Sequence, residues 1–426
     1  MRILWINAKL LPRAVEAIGA MQSVTSGWLG TMHEALLNED PSLEMCALCL
    51  DHRPCDIQVG NVRYVSFGER GKTWYRKTPR HIEMQCKKVI ADFNPDVIHV
   101  HGTEYFYGCM SHDVYCGKPV VVSLQGILSA CHVQLTGGLS PAETWWMNFN
   151  LRLIKYGSTF LGDQTFWREK RAEQEARIFR QQKYFIGRTE WDKAWVEYFN
   201  PQSRYFHVNE TLRPPFYTTR RDVTKICRHT IYCGAAAGYA LKGLHWLLRA
   251  VAALKGEFPD IQLRIAASSG RLDGRRSVMD RLKDDNYSMY LRRLIHKLGI
   301  EGNIMALPSL SAEAVADELK NAELFVLPSM CENSPNSLGE AMLVGTPAIA
   351  TFVGGTPSIL RDGVEGKLVP SGDPAALAGA IRRWFLHPEE AEACVEPARK
   401  TAFARHDARK NAEDTLKVYR EVVCCA

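Results

Sequence analysis

Short runs of β-branched and apolar residues alternate with helix-length amphipathic stretches along the whole chain, and the alternation starts twice. In the first half the strand candidates are RILWINA, LEMCALCL, VRYVSF, DVIHVHG, KPVVVSLQG and KYFIGRT, with SGWLGTMHEALLNE and PRHIEMQCKKVIADF among the helical stretches between them. In the second half they are HTIYCGAA, IQLRIAAS, NIMALPS, AELFVLPS, TPAIATF and GKLVPS, interleaved with LHWLLRAVAALKGEF and AEAVADELKNA. Strands that alternate with helices in this way build parallel sheets covered on both faces. The expected class is therefore α/β, with two Rossmann-like, doubly wound parallel-sheet domains.

A chain of 426 residues is long enough for two such cores, since single cores seldom grow past roughly 250–300 residues. Residues 199–224, FNPQSRYFHVNETLRPPFYTTRRDVT, are polar, rich in proline and without periodicity, and they read as the linker. The expected domains are 1–205 and 225–390, with helices over 391–426 that return to the first domain.

Composition excludes several classes. No apolar run reaches the roughly 18 residues of a membrane span, and the start MRILWINAKLLP reads as a first strand rather than a signal peptide. A cytoplasmic location is expected. The net charge of +6 is modest, which argues against nucleic acid as a partner. Basic residues crowd positions 68–88, GERGKTWYRKTPRHIEMQCKK, which read either as a solvated loop and helix face or as a patch for an anionic membrane surface or a phosphate-bearing acceptor. The aromatic and basic stretch over 143–171 divides the same way, between core and acceptor or membrane contact. Thirteen cysteines is an odd number, and the Cys46–Cys49 pair lacks the second pair or nearby His of a metal site. Buried reduced thiols are expected there.

The stretch MCENSPNSLGEAM, from Met330 to Met342, lies between two apolar runs. Glu332 falls in a loop at the carboxyl end of a parallel strand, where open α/β sheets bind ligands. Pro335 is tolerated only at or before a helix's first turn, so a helix is expected to begin near Asn336 or Ser337. Its unpaired N–H groups and positive dipole end suit a phosphate. Glu340 stands three residues after Ser337, which is also capping-box spacing. Two carboxylates around an anion-binding turn are placed to grip the hydroxyls at either end of a nucleotide-diphosphate sugar.

With its flanks, this block resembles the retaining glycosyltransferases of family 4, which have the GT-B fold of two Rossmann-like domains facing across a cleft. The resemblance rests on E-x7-E as Glu332 to Glu340, the following EAMLVGTPAIATFVGGTPSILRDGVEGKLVPSGD, the segment LKGLHWLLRA, DVIHVHG near residue 100, and SGWLG after the first strand. It implies that Glu340 holds ribose hydroxyls, that Glu332 contacts the donor sugar, and that Lys242 neutralises the donor diphosphate. A fixed cation there stabilises charge that develops on the leaving group. Asn336 and Ser337 open the phosphate-facing helix, and Gly27 lets backbone approach the phosphates. His101, ending DVIHVHG beside His99, and Gln125 in SLQG are placed as substrate contacts. The resemblance further implies that the acceptor hydroxyl attacks on the face the diphosphate leaves, without a protein nucleophile.

Departures from the family pattern are visible. Ala235 to Ala237 stand where an arginine is common, Gln125 where a histidine is frequent, and Ser358 where a glutamate is frequent, while Pro335 removes a backbone donor. The pair Asp284–Asp285 reads as a surface loop rather than a metal site. The expected enzyme is a metal-independent hexosyltransferase without a cofactor, taking a UDP- or GDP-sugar and a glycan or lipid-linked glycan acceptor in polysaccharide or glycoconjugate assembly. Peripheral contact with the inner membrane face is left open. The alternatives are a nucleotide-sugar-binding protein without transferase activity and a sugar-nucleotide epimerase. A dinucleotide oxidoreductase is disfavoured, because SGWLG replaces G-x-G-x-x-G.

Overall fold

The computed structural model describes residues 1–20, 27–49, 51–68, 80–148, 167–234, 238–266, 272 and 286–425. Its chain forms two compact units. The first comprises Met1–Ser129, Trp167–Leu212 and Arg405–Ala426, and the second Ala130–Phe166 and Arg213–Ala404.

The first unit is built on strands β1 (Arg2–Asn7), β2 (Glu44–Cys49), β3 (Cys55–Val59), β4 (Val62–Ser66), β5 (Val97–His101), β6 (Val120–Ser123), β7 (Tyr184–Gly187) and β8 (Arg204–His207). They form one sheet in the order β3-β4-β2-β1-β5-β6-β7-β8. Among the described strands of this sheet only β3 runs antiparallel, against β4. The five residues of β5 are all buried, as a parallel strand covered on both faces requires. The second sheet takes β9 (Cys227–Cys233), β10 (Gln262–Ala266), β11 (Ile304–Leu307), β12 (Ala322–Leu327), β13 (Ala348–Thr351) and β14 (Lys367–Val369), in the order β11-β10-β9-β12-β13-β14. Every pairing in it is parallel. This is the doubly wound order, and both sheets reverse direction at an inner strand, between β1 and β5 and between β9 and β12. Ligands of such sheets bind at the carboxyl ends of the strands beside that reversal.

All twelve strands expected from the sequence form, and two more appear. One is β8, which lies inside residues 199–224, so that segment is not a structureless linker. None of its four residues is fully buried at the sheet edge, which leaves no buried apolar run to read. The helix Pro215–Thr218 follows in the same segment, with Phe216 fully buried. The C-terminal helices also divide later than residue 391: Val395–Arg405 stays almost entirely with the second unit, and Ala408–Cys424 packs on the first, against Gly27–Glu39. The larger surprise is that residues 130–148 belong to the second unit although first-half strands flank them.

That excursion is pinned by specific bonds. The Gly137 carbonyl accepts from Trp246 Nε1 at 2.9 Å and lies 3.0 Å from His245 Nε2. A carbonyl only accepts, so His245 carries its proton on Nε2, and Nδ1 accepts from the Tyr287 hydroxyl at 2.7 Å. Burial drives the His245 pKa down to about 3. In the helix Pro141–Asn148, Glu143 meets Arg249 at 2.7 Å and the Tyr290 hydroxyl at 2.6 Å. Burial works against the Glu143 charge, but hydrogen bonds from Tyr290 and Ser140 and the Arg249 guanidinium hold its pKa down to about 2.

Cys46 and Cys49 are buried in β2, and desolvation pushes both thiols up to about 12, which fits inert core sulfur. No helix among the described residues is long and apolar enough to cross a membrane. Most of the basic region 68–88, part of the aromatic stretch 143–171, Ala235 to Ala237 and Asp284–Asp285 lie outside the described residues.

Candidate functional site

In the second unit, the loop after β12 and the turn after β9 are locked together. Residues Ala240–Lys242 form a single 3-10 turn ending at Gly243, whose φ of +67° is left-handed. A side chain at Gly243 would place its Cβ 1.9 Å from the Pro328 carbonyl oxygen. Glycine is required both for the backbone angle and for this approach. The approach lets Met330 N–H donate to the Leu241 carbonyl at 2.8 Å, and it carries Lys242 to the end of β12.

There Lys242 Nζ lies 2.6 Å from Glu332 Oε1, and the Ser329 hydroxyl donates to the same oxygen at 2.7 Å. The Glu332 side chain is 10% exposed and that of Lys242 33%. Burial opposes the Lys242 charge, but the neighbouring carboxylate and its hydrogen bond win, and the pKa is raised. Gly355 N–H donates to the Glu332 carbonyl at 3.0 Å, fixing the loop from the other side.

The next helix begins at Asn336, as Pro335 requires, and runs to Val344, with Gly345 at φ +90° as its left-handed stop. Asn336 and Ser337 are its first two residues. Ser337 Cβ lies 3.5 Å from the position a Cβ on Gly234 would take, just past β9, so the helix start abuts that strand's carboxyl end. Asn336 Oδ1 is buried without a hydrogen-bond partner among the described residues. An unpaired buried acceptor is a costly group that a ligand donor can satisfy.

Glu340 does not close a capping box. The N-cap is Pro335 and makes no side-chain cap bond, which puts Glu340 too far along the helix to reach back. It pairs instead with Arg213, whose Nε and Nη2 approach Oε1 at 3.2 and 2.7 Å. Burial raises the Glu340 pKa and Arg213 opposes that rise without cancelling it. Both bonds fall on Oε1, which leaves Oε2 for another donor. Arg213 was not expected: it lies in the segment taken as linker, and a partner 127 residues away leaves no local signal.

The other expected residues lie in the first unit. Gly27 opens the helix Gly27–Glu39. His101, at the end of β5, lines a cavity with Trp5, Trp28, Gln125, Arg188 and Glu210. Its two ring nitrogens are buried and have no partner among the described residues, and its ring centroid lies 4.3 Å from that of Trp5 and 3.9 Å from that of His99. Beneath it runs a chain of bonds. Trp5 Nε1 donates to the Tyr419 hydroxyl at 3.0 Å, Tyr419 donates to His99 Nδ1 at 2.5 Å, and His99 Nε2 donates to Ser123 Oγ at 2.5 Å. The terminal helix therefore supplies the hydroxyl that fixes the His99 tautomer. Burial lowers the His99 pKa to about 3 and that of His101 well below its usual value, with the Arg188 charge adding to the second effect. Arg188, missed in the sequence, pairs with Glu210 and donates to the Leu124 carbonyl, and its Nη2 lies 3.5 Å from the Gln125 carbonyl. The structure thus brings Lys242, Glu332, Asn336, Ser337 and Glu340 together in one unit and His101 with Gln125 in the other.

Residues 229–401, which lie within the second unit, match the family model described as glycosyl transferases group 1. D-inositol 3-phosphate glycosyltransferase of Streptomyces coelicolor is 35% identical over 166 residues, covering 39% of this chain and 34% of that protein. The same-named protein of Geodermatophilus obscurus is 40% identical over 92 residues, 22% of this chain and 20% of that one. The match thus spans about a third or less of the length of these two relatives. Among solved structures, sucrose-phosphate synthase from Thermosynechococcus elongatus aligns over 100% of both chains with a TM-score of 0.71 at 16% identity. HepE of Anabaena, in complex with UDP and glucose, aligns over 99% of this chain and 100% of its own with a TM-score of 0.65 at 15% identity. The chain shares their fold of two Rossmann-like domains.

Proposed function

We propose that the protein is a retaining glycosyltransferase that moves a sugar from a nucleoside-diphosphate donor to a hydroxyl acceptor. The observation that carries this reading is the Lys242–Glu332 pair, 2.6 Å apart, beside the start of the helix Asn336–Val344. A fixed cation next to free helix N–H groups is complementary to a diphosphate, and more so as the leaving group gains charge. The name of the matching family model and the names of the relatives support the same class.

In this reading the donor diphosphate lies between the Lys242 ammonium and the N–H groups of the first helical turn. Glu332, steadied by the Ser329 hydroxyl, accepts hydroxyls of the donor sugar. Glu340 offers Oε2 to a ribose hydroxyl, and Arg213 positions it through Oε1. The acceptor oxygen forms a bond to the anomeric carbon as the bond to the diphosphate breaks, and a phosphate oxygen takes the acceptor proton. No arginine from residues 235–237 assists, so Lys242 and the helix carry the diphosphate charge. His101 and Gln125 are assigned to substrate hydroxyls, for which neutral groups able to donate and accept are suited. UDP is the nucleoside diphosphate we favour, in line with HepE, whose structure holds UDP and glucose. The acceptor is assigned to a glycan or lipid-linked glycan.

The test is incubation of the full chain with UDP-, GDP- and ADP-sugars, with and without lipid-linked acceptor extracts, and measurement of nucleoside diphosphate released. Release from one donor that Lys242→Ala and Glu340→Ala both abolish supports the reading. Binding of a donor without release under any acceptor condition favours a nucleotide-sugar-binding protein.

A further inference from the structure

Two sulfur atoms lie next to the Lys242–Glu332 pair and take no part in the chemistry proposed for it. Cys131, at the end of the helix Leu128–Cys131, and Cys331, immediately before Glu332, have their Sγ atoms 3.5 Å apart. Both belong to the second unit, and 200 residues separate them in sequence. Cys131 is partly exposed and Cys331 is buried. The Lys242 ammonium lies within electrostatic reach of both sulfurs.

We propose that Cys131 and Cys331 are an oxidation site, at which a peroxide converts the two thiols to a disulfide that displaces the loop bearing Glu332. Cys131, the more accessible sulfur, attacks the peroxide as its thiolate. The O–O bond breaks, one oxygen stays as the sulfenic acid, and the other leaves as hydroxide and is protonated to water. The Cys331 sulfur then displaces the second oxygen as water, forming the S–S bond. Two thiols and one hydrogen peroxide give one disulfide and two waters, with two electrons passing to the peroxide. A dithiol reverses the change by exchange.

Bond formation requires the sulfurs to close from 3.5 Å to about 2.05 Å. Bonds at Met330 and at the Glu332 carbonyl tether the loop on either side of Cys331, so the movement falls on the residues between them, Glu332 included. A misplacement of about 1 Å at a reacting centre costs about 100-fold in rate. The oxidised protein is therefore expected to turn over donor about 100-fold more slowly.

This consequence rests on the transferase reading, but the disulfide does not. The full chain is treated with hydrogen peroxide, digested with trypsin without reductant, and read by mass spectrometry, with donor turnover followed in parallel. The expected result is a peptide joining Cys131 to Cys331, a fall in turnover that dithiothreitol restores, and a Cys131→Ser variant that is active and resists peroxide. Cys131→Ala repeats the test if serine disturbs the fold. Peroxide that oxidises the exposed Cys424 without yielding the joined peptide overturns the site, and the joined peptide with turnover unchanged overturns the displacement. A reduced wild-type protein without turnover counts against the transferase reading, while the joined peptide still decides the oxidation site.

Discussion

The two units present opposite chemistry at the carboxyl ends of their sheets. In the second, the side chains at the switch between β9 and β12 are charged and held in pairs, Lys242 with Glu332 and Arg213 with Glu340. In the first, the switch between β1 and β5 ends in imidazoles that burial keeps neutral, His99 and His101. The buried Arg188–Glu210 pair lies behind them. Similar strand orders therefore carry paired charges at one switch and neutral imidazoles at the other. The strand order sets where a site can form, and the side chains at the strand ends set what it can hold.

The sharpest way to break this comparison is to remove the cation. Lys242→Ala is expected to lower turnover by about 100- to 1,000-fold, the loss typical of one preorganised electrostatic group, as read by single-turnover release of nucleoside diphosphate. Glu332→Gln in the same background should add much less than it costs alone, because the two groups act together. Full additivity would mean that the pair does not work as a unit.

Arg213→Ala comes next. If Arg213 positions Glu340, the loss should fall mainly on KM for the donor, by about 10-fold, which corresponds to about 1.4 kcal/mol of binding. Arg213→Lys should restore part of it, since the cation remains while the two-nitrogen contact is lost. A fall in kcat at constant KM would contradict a positioning role.

His101→Phe tests the other side. It removes both ring nitrogens from the first unit's cavity and should weaken use of the acceptor by about 10-fold, one hydrogen bond's worth, while donor binding measured alone stays unchanged. Weakened donor binding would erase the division of labour between the units.

The smallest effect is on acidity. His99 titrates near pH 3 and His406 near pH 4 in the fold, against about 6.5 when unfolded. Between those values the unfolded chain binds more protons, so these histidines cost stability as pH falls below about 6.5. Buried Glu175, raised to about 7 chiefly by desolvation, acts in the opposite direction, and its stabilising share is lost as pH rises from about 4.5 to 7. In an NMR titration, the His99 and His406 imidazole signals should stay those of the neutral ring down to pH 5. Protonation near pH 6.5 would show that the cavity is wet and open.

Much of this was legible in the sequence because periodicity and breakers act locally. The twelve strands, the helix beginning at Asn336 and the loop position of Glu332 follow from β-branched runs and from what Pro335 forbids. What stayed hidden depended on partners far away. The edge strand β8 has no buried run of its own, the Gly137 excursion is fixed by His245 and Trp246 more than 100 residues on, and Arg213 reaches Glu340 from a segment without periodicity. The capping-box reading of Glu340 failed for a local reason: Ser337 already lies inside the helix, where its hydroxyl is past the cap position.

The most direct test of the central claim is calorimetric titration of the full chain with UDP, comparing wild type with Lys242→Ala and with thermal melts to show that both are folded. A second unit built to hold a nucleoside diphosphate should bind UDP in the wild type and about 10- to 100-fold more weakly in the variant, the range for a hydrogen bond to a charged group. Equal affinity in the two proteins would contradict the assignment of Lys242 to the diphosphate.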